Sequence, residues 1–92
     1  MNTKAKGARN ERRSRDLLEA AGYRVTRAAA SLGEWDLVGV GTTDFVLCQV
    51  KTRDLPGAME RQILAEFRCP PNTRKLIHRW RHGARLPDVQ EV

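Results

Sequence analysis

The order of apolar runs predicts an α/β fold: one helix, three strands, a second helix and one more strand, forming a mixed β-sheet with flanking helices. Three observations lead there. Two short apolar runs, Leu37 to Val40 and Phe45 to Val50, flank Gly41-Thr42-Thr43-Asp44, the pattern of two strands joined by a tight turn. Before them lies a polar stretch with an apolar stripe at helical spacing. After them come Met59, Ile63 and Phe67, spaced by four, and then a proline break ahead of another β-like run.

The elements follow in order. Met1 to Lys6 reads as a flexible basic arm, either a floppy terminus or a phosphate-tracking tail, and residues 7–92 as one domain. A helix is expected from about Ala8 to Ala21, with Gly22 just past its end. Its buried stripe is Ser14, Leu17, Leu18 and Ala21, with Glu11 at the edge; Arg12, Arg13, Asp16 and Glu19 project into solvent. Tyr23 to Arg27 alternates as a first strand, and Ala28 to Gly33 is a small-residue loop. In the second strand of the hairpin, Gln49 and Lys51 point to one face and Cys48 and Val50 to the other. Asp54 and Pro56 supply helix-start chemistry for a second helix whose core stripe is Met59, Ile63 and Phe67. Lys75 to Trp80 is a fourth strand, with Leu76, His78 and Trp80 on one face and Ile77 on the other. His82-Gly83 is a turn, and Ala84 to Val92 either returns as an edge strand or covers the sheet.

Composition narrows the function. A chain of 92 residues is one domain with much exposed surface, for which oligomerisation is a common remedy. No apolar run approaches the roughly 20 residues a membrane span needs, and the N-terminus lacks the apolar segment of a signal peptide. A cytoplasmic protein is expected, in the host cell if the source is viral. Cys48 and Cys69 form no C-x-x-C pair, so zinc is disfavoured, and Cys48 reads as core. The net charge of +6 suits a polyanion, nucleic acid being the commonest. An aromatic content of 5% argues against binding single strands by base stacking.

Several polar residues sit at odds with their surroundings: Glu11, Ser31, Asp36, Gln49 and Lys51. A lysine closing an apolar strand needs a charged partner or a task, and Asp36, returned across the hairpin, is a candidate partner. Glu11 has a plain alternative, an i,i+4 ion pair with Arg15. Two carboxylates and an amide oxygen are hard donors suited to Mg²⁺ or Mn²⁺. Such an ion activates water and neutralises charge building on a phosphate, which together with a basic surface reads as phosphodiester hydrolysis.

A helix bearing Glu, then D-x(n)-(E/Q)-x-K across a hairpin, resembles the PD-(D/E)XK nuclease superfamily with its restriction-endonuclease-like core. Within it the match is closest to the archaeal-type Holliday junction resolvases and the phage VRR-NUC domains. Lys6-Gly7-Ala8-Arg9-Asn10-Glu11-Arg12 resembles their K-G-x-x-x-E-R opening. Leu17-Leu18-Glu19 with Gly22-Tyr23-Arg24-Val25-Thr26-Arg27 resembles L-L-E…G-[FY]-x-V-x-R, Ala30-Ser31 with Asp36-Leu37-Val38 resembles A-x-S…D-[IL]-V, and Val46 to Lys51 resembles the strand carrying E-x-K. The resemblance covers Lys6 to Phe67 well and the C-terminus loosely. It implies that Glu11 helps hold the metal, Asp36 is its central ligand, Lys51 is the catalytic lysine, and the Val50 carbonyl is a further ligand. It also implies that Ser31 lies beside the scissile phosphate; otherwise Ser31 is an ordinary loop hydroxyl. Gln49 stands where the family usually has Glu, which leaves an oxygen donor without charge. Trp35 stands where many relatives have Pro; it is core, a dimer contact or a DNA wedge.

The implied protein is a Mg²⁺-dependent DNA endonuclease, with Mn²⁺ as a substitute, that acts as a homodimer on four-way junctions or other branched DNA. Phosphate contacts are expected from Lys4, Lys6, Arg9, Arg12, Arg13 and Arg53, with affinity falling steeply as salt rises. The alternatives are a superfamily nuclease for linear or flap DNA, a catalytically idle DNA-binding module with Gln49 as the mark of decay, and a basic interaction protein. The last leaves Glu11, Asp36 and Lys51 unexplained.

Overall fold

A computed structural model describes residues 3–92. The elements are α1 (Thr3–Ala20), β1 (Arg24–Arg27), β2 (Leu37–Val40), β3 (Phe45–Lys51), α2 (Ala58–Glu66), β4 (Thr73–Arg79) and β5 (Asp88–Glu91). The strands form one sheet in the order β1-β2-β3-β4-β5. Only the β3–β4 pair is parallel, as the intervening helix requires; the other pairs are antiparallel. The sheet is therefore mixed and flanked by helices, as the sequence predicts, and Ala84 to Val92 does return to give an edge strand.

Helix α1 starts earlier than its pattern suggests. Thr3 to Lys6, read as a flexible arm, is helical, and Met1 and Asn2 lie outside the described residues. The segment has no glycine or proline before Gly7 to interrupt it, so the helix propagates outward. At its other end Gly22 sits at φ 104°. The Tyr23 N–H bonds the Leu18 carbonyl and the Gly22 N–H that of Glu19, a Schellman closure. Ser14 and Leu18 are buried as expected, but Ala21 is exposed, because the chain has already left the helix there.

The α1 face of the sheet buries Leu18, Leu37, Val46, Cys48 and Leu76. Cys48 is core, and burial pushes its thiol up to about 12. Gly39 is needed on this face, since a Cβ there would fall 2.7 Å from Val46 Cγ1. Beside this core, the fully buried Ser14 hydroxyl accepts the Trp80 indole N–H at 2.8 Å and lies 2.9 Å from His78 Nδ1. Burial lowers the pKa of His78 and so favours the neutral ring, whose Nδ1, when unprotonated, accepts the Ser14 hydroxyl proton. Arg13, expected in solvent, lies 3.9 Å from the centre of the Trp80 ring and donates to the Ala84 carbonyl at 2.6 Å. Its long side chain closes the core edge instead of projecting away.

The opposite face buries Trp35, Leu47, Leu64 and Ile77 under α2. Trp35 is core, 1% exposed, with its ring edge-on to Phe67. The expected stripe on α2 is wrong by one helix face. Met59 is 78% and Ile63 51% exposed, while Leu64 is fully buried. Phe67 lies past the helix in extended conformation, so it does not continue a Met59–Ile63 row. Glu60 and Leu64, also spaced by four, face the sheet; the sheet there presents Gln49 and Lys51, which bond Glu60 and set the helix rotation. Asp54 does not cap α2 either. The N-cap is Gly57, without a side-chain cap bond, and Pro56 lies before the helix.

Candidate active site

The site forms where β2 begins and β3 ends. Asp36 is held there by its own backbone: its N–H bonds the Cys48 carbonyl at 3.0 Å and its carbonyl accepts the Ala28 N–H at 2.9 Å. Leu37 pairs with Cys48, so one step back along the ladder sets Asp36 opposite Gln49. Asp36 Oδ2 accepts the Val50 N–H at 2.7 Å. Burial raises the pKa of this carboxyl; the Val50 N–H and the Lys51 charge oppose the shift, and the charges of Glu11 and Glu34 add to it. The surroundings therefore disfavour the ionised form of Asp36.

Gln49 and Lys51 share the α2 face, as alternation along β3 requires. Lys51 is not paired with Asp36. Its ammonium lies 3.0 Å from Glu60 Oε1 and 3.1 Å from Oε2, in a pair whose two side chains are each 28% exposed. The Gln49 amide nitrogen donates to Glu60 Oε1 at 2.7 Å and, more weakly, to the Glu34 carbonyl at 3.4 Å. Gln49 itself is 3% exposed, and its Oε1 is buried without a partner among the described residues. The bond from Lys51 holds the Glu60 carboxyl below its usual pKa, against burial and with help from Gln49.

Glu11 stands apart from this trio. It pairs with Arg27 at 3.1 Å, not with Arg15, which pairs with Glu19. It lines a shallow pocket with Ala8, Arg12, Arg15, Arg27 and Leu37, and reaches Asp36 through its charge. Arg27 wins over Arg15 because β1 carries it across to the helix edge, where Glu11 is three-quarters buried. Ser31 is exposed, and its N–H and Oγ both bond the Ala28 carbonyl. The loop around it holds Ala29 and Ala30 at φ 51° and 67°, a left-handed conformation that is costly for alanine.

The basic residues divide. Arg13 is committed to Trp80 and the 84–85 backbone. Lys6 and Arg9 line a cleft with Arg81, His82 and Arg85. Lys6 Nζ lies 3.3 Å from His82 Nδ1. Arg53 is exposed next to Asp54, and Lys4 and Arg12 are exposed on α1. Two contacts set the cleft at the Lys51 end of β3: Asn10 with Thr52 at 3.3 Å, and the Trp80 N–H with the Lys51 carbonyl at 2.7 Å. Arg81 and Arg85 were signalled in the sequence only by the recurrence of basic residues after Arg74. Glu60 was missed for a simpler reason. Glu60–Leu64–Phe67 is as good a helical stripe as Met59–Ile63–Phe67, and only the polar content of the facing strand distinguishes them.

Among the described residues, no three or more His, Cys, Asp and Glu side chains gather closely enough to hold a metal ion. Asp36 and Gln49 stand opposite each other in the ladder, and the Gln49 oxygen is buried without a partner among the described residues. They fit a hard ion that keeps most of its waters and binds through one or two carboxylates.

This five-stranded mixed sheet, with its hairpin, crossover helix and flanking α1, is the PD-(D/E)XK fold in its archaeal resolvase-like form. One solved structure similar to it is that of Hjc, a Holliday junction resolvase from the archaeal hyperthermophile Archaeoglobus fulgidus. The likeness has a TM-score of 0.67 and 26% sequence identity, and covers 86% of this chain and 67% of that one. No family model matches the sequence, and no curated protein matches it. No helix among the described residues is long and apolar enough to cross a membrane.

Proposed function

We propose that this protein is a divalent-metal-dependent DNA endonuclease, selective for four-way or other branched DNA and active as a homodimer. The observation that carries the reading is the convergence of Asp36, Gln49 and Lys51 at one strand end, in a fold similar to that of a Holliday junction resolvase. Asp36 and the Gln49 oxygen would hold Mg²⁺ or Mn²⁺, with the Val50 carbonyl a further donor and Glu11 acting on Asp36 by charge. The bound ion supplies an activated water and neutralises charge on the phosphate.

The chain's own groups do the rest. Asp36 is fixed by three backbone contacts, so its carboxylate is already in place before substrate arrives. Lys51, two residues beyond Gln49 on the same face, orients the attacking water or stabilises the crowded phosphate. Lys6, Arg9, Arg81 and Arg85, with Arg12 and Arg53, would lead the phosphate backbone to that end of the sheet. Ser31, in its strained loop next to Asp36, would approach the scissile phosphate only by giving up its bond to Ala28. A homodimer would present two such sites to the two opposed strands of a junction.

Four-way, flap, nicked and linear duplex DNA offered side by side with Mg²⁺ or Mn²⁺ test this. The expected result is cleavage of the four-way junction at least about tenfold faster than of linear duplex; equal rates on all four would reject junction selectivity. No cleavage of any substrate with either ion would leave a DNA-binding module.

A further inference from the structure

Helix α1 carries basic side chains along two flanks. On one, Ala8, Glu11, Arg12 and Arg15 line a pocket with Arg27 and with Leu37, the residue next to Asp36 in the chain. On the other, Lys6, Arg9, Asn10 and Arg13 recur three and four residues apart and line a cleft against the turn after β4. No carboxylate lines this cleft among the described residues, which marks it for an anion and not for a cation.

We propose that the cleft binds the sugar–phosphate backbone of a second arm of branched DNA, distinct from the arm held for cutting on the Glu11 flank. The proposal rests on the nuclease reading above and names the part of the molecule that senses the branch. Arg9, Arg81 and Arg85 are exposed at the cleft, and Lys6 is half-buried. Arg81 pairs with Asp88 at 2.9 Å, whereas Lys6, Arg9 and Arg85 have no acidic partner among the described residues. The Lys6 ammonium only donates, so His82 Nδ1, 3.3 Å away, accepts. The ring proton then stands on Nε2, where it can bond a phosphate oxygen. The turn is fixed before a ligand arrives. Arg13 lies over the Trp80 ring and donates to the Ala84 and Arg85 carbonyls at 2.6 and 3.3 Å, and Gly83 at φ 75° reverses the chain. Little freedom of the backbone is left to lose on binding.

Two plainer accounts are incomplete. A solvated basic surface explains the charge, but not its gathering in a braced cleft without an acid in its lining. A single duplex lying across α1 meets a problem of width. A helix with its side chains is about 10–12 Å across, wider than a minor groove of about 6 Å. A major groove of about 12 Å admits a helix that stands clear of its neighbours. Helix α1 does not stand clear: β1 meets one flank through Arg27 and Glu11, and the turn meets the other through Arg13 and Lys6. A duplex seated on one flank leaves the other to a different backbone, and branched DNA supplies one.

The test is DNA binding in EDTA, where cleavage does not interfere, read by fluorescence anisotropy over a range of salt. A four-way junction is compared with a linear duplex of the same arm sequence, and the parent is assayed separately for cleavage with Mg²⁺. Arg9→Gln with Arg85→Gln removes one charge from each side of the cleft, and thermal melting checks folding. The loss of affinity for the junction should exceed the loss for linear duplex by at least about tenfold, and the salt slope on the junction should fall by about two, near 0.9 per phosphate contact. Arg12→Gln, on the other flank, should weaken both DNAs by similar factors. Equal losses on both DNAs in the double variant, or no loss on either, overturn the inference and leave the nuclease reading of a parent that cuts DNA standing. A junction-selective loss from Arg12→Gln as well would spread the selectivity over the whole basic face and overturns it too. A parent that cuts no DNA removes the nuclease reading, and this inference with it.

Discussion

The two faces of the sheet treat buried polar atoms in opposite ways. On the α1 face Ser14, His78 and Trp80 are buried deep, yet they satisfy one another through a single hydroxyl. On the α2 face lie Trp35 Nε1, Gln49 Oε1 and Thr73 Oγ1, the buried side-chain atoms without partners among the described residues. One face is built as a finished core. The other packs Leu64 and Trp35 around a polar cluster that is incomplete by itself. Unsatisfied buried groups in a folded protein call for an explanation, and a binding or catalytic role is one. The contrast teaches that the face carrying the proposed site is marked less by its charges than by its unfinished hydrogen bonding.

The sharpest test of that contrast is Lys51→Ala, on the unfinished face. Junction cleavage should fall by about 10³-fold, the scale of losing a group that moves or orients a proton, while junction affinity measured by fluorescence anisotropy stays within about twofold. A variant that cuts normally would make the α2 face structural too.

Next in size is the packing of α2. Leu64→Ala should cost about 3 kcal/mol in denaturant unfolding, because Leu64 is fully buried. Ile63→Ala, on the exposed side, should change stability by less than about 0.5 kcal/mol. Equal losses would mean that the helix is rotated and Glu60 does not face the sheet.

On the finished face, Ser14→Ala leaves the Trp80 N–H and His78 Nδ1 without their common partner. A loss of about 2 kcal/mol is expected in the same measurement. A neutral substitution would show that water or a rearranged ring replaces the hydroxyl at no cost.

The smallest effect concerns Asp36 in metal-free protein. Its carboxyl has a raised pKa, so the folded state holds the proton more tightly than the unfolded chain does. Stability is therefore lost as pH rises from the ordinary carboxylate value through the raised one, and the loss is complete above it. Asp36→Asn keeps an oxygen for the Val50 N–H and removes this penalty. The variant should melt above wild type at pH 7, with the difference closing toward pH 3. His78 works in the other direction: burial lowers its pKa, so wild-type stability from that group is present at neutral pH and falls as pH drops below about 6.5. Comparing the two proteins at each pH separates the contributions, because His78 is common to both.

Much of this was readable from order and spacing. Apolar runs flanking Gly41–Asp44 define the hairpin, Gly22 ends α1, and strand alternation puts Gln49 and Lys51 on one face and Cys48 and Val50 on the other, all as found. These are local facts, fixed by the two-residue repeat of a strand and the conformational freedom of glycine. What failed were choices among partners. Glu11 had Arg15 within reach on its own helix and took Arg27 from β1. Lys51 had Asp36 in prospect and took Glu60. Arg13 had solvent available and took the face of Trp80.

The sequence by itself determined the succession of elements, the faces of the strands and the basic balance of +6. Each of these depends on neighbours a few residues apart. Tertiary structure alone decided which face of α2 turns inward, hence that Glu60 and not Met59 meets β3. A nine-residue helix with two equivalent stripes carries no internal preference between them. The sheet beneath it, through Gln49 and Lys51, makes the choice.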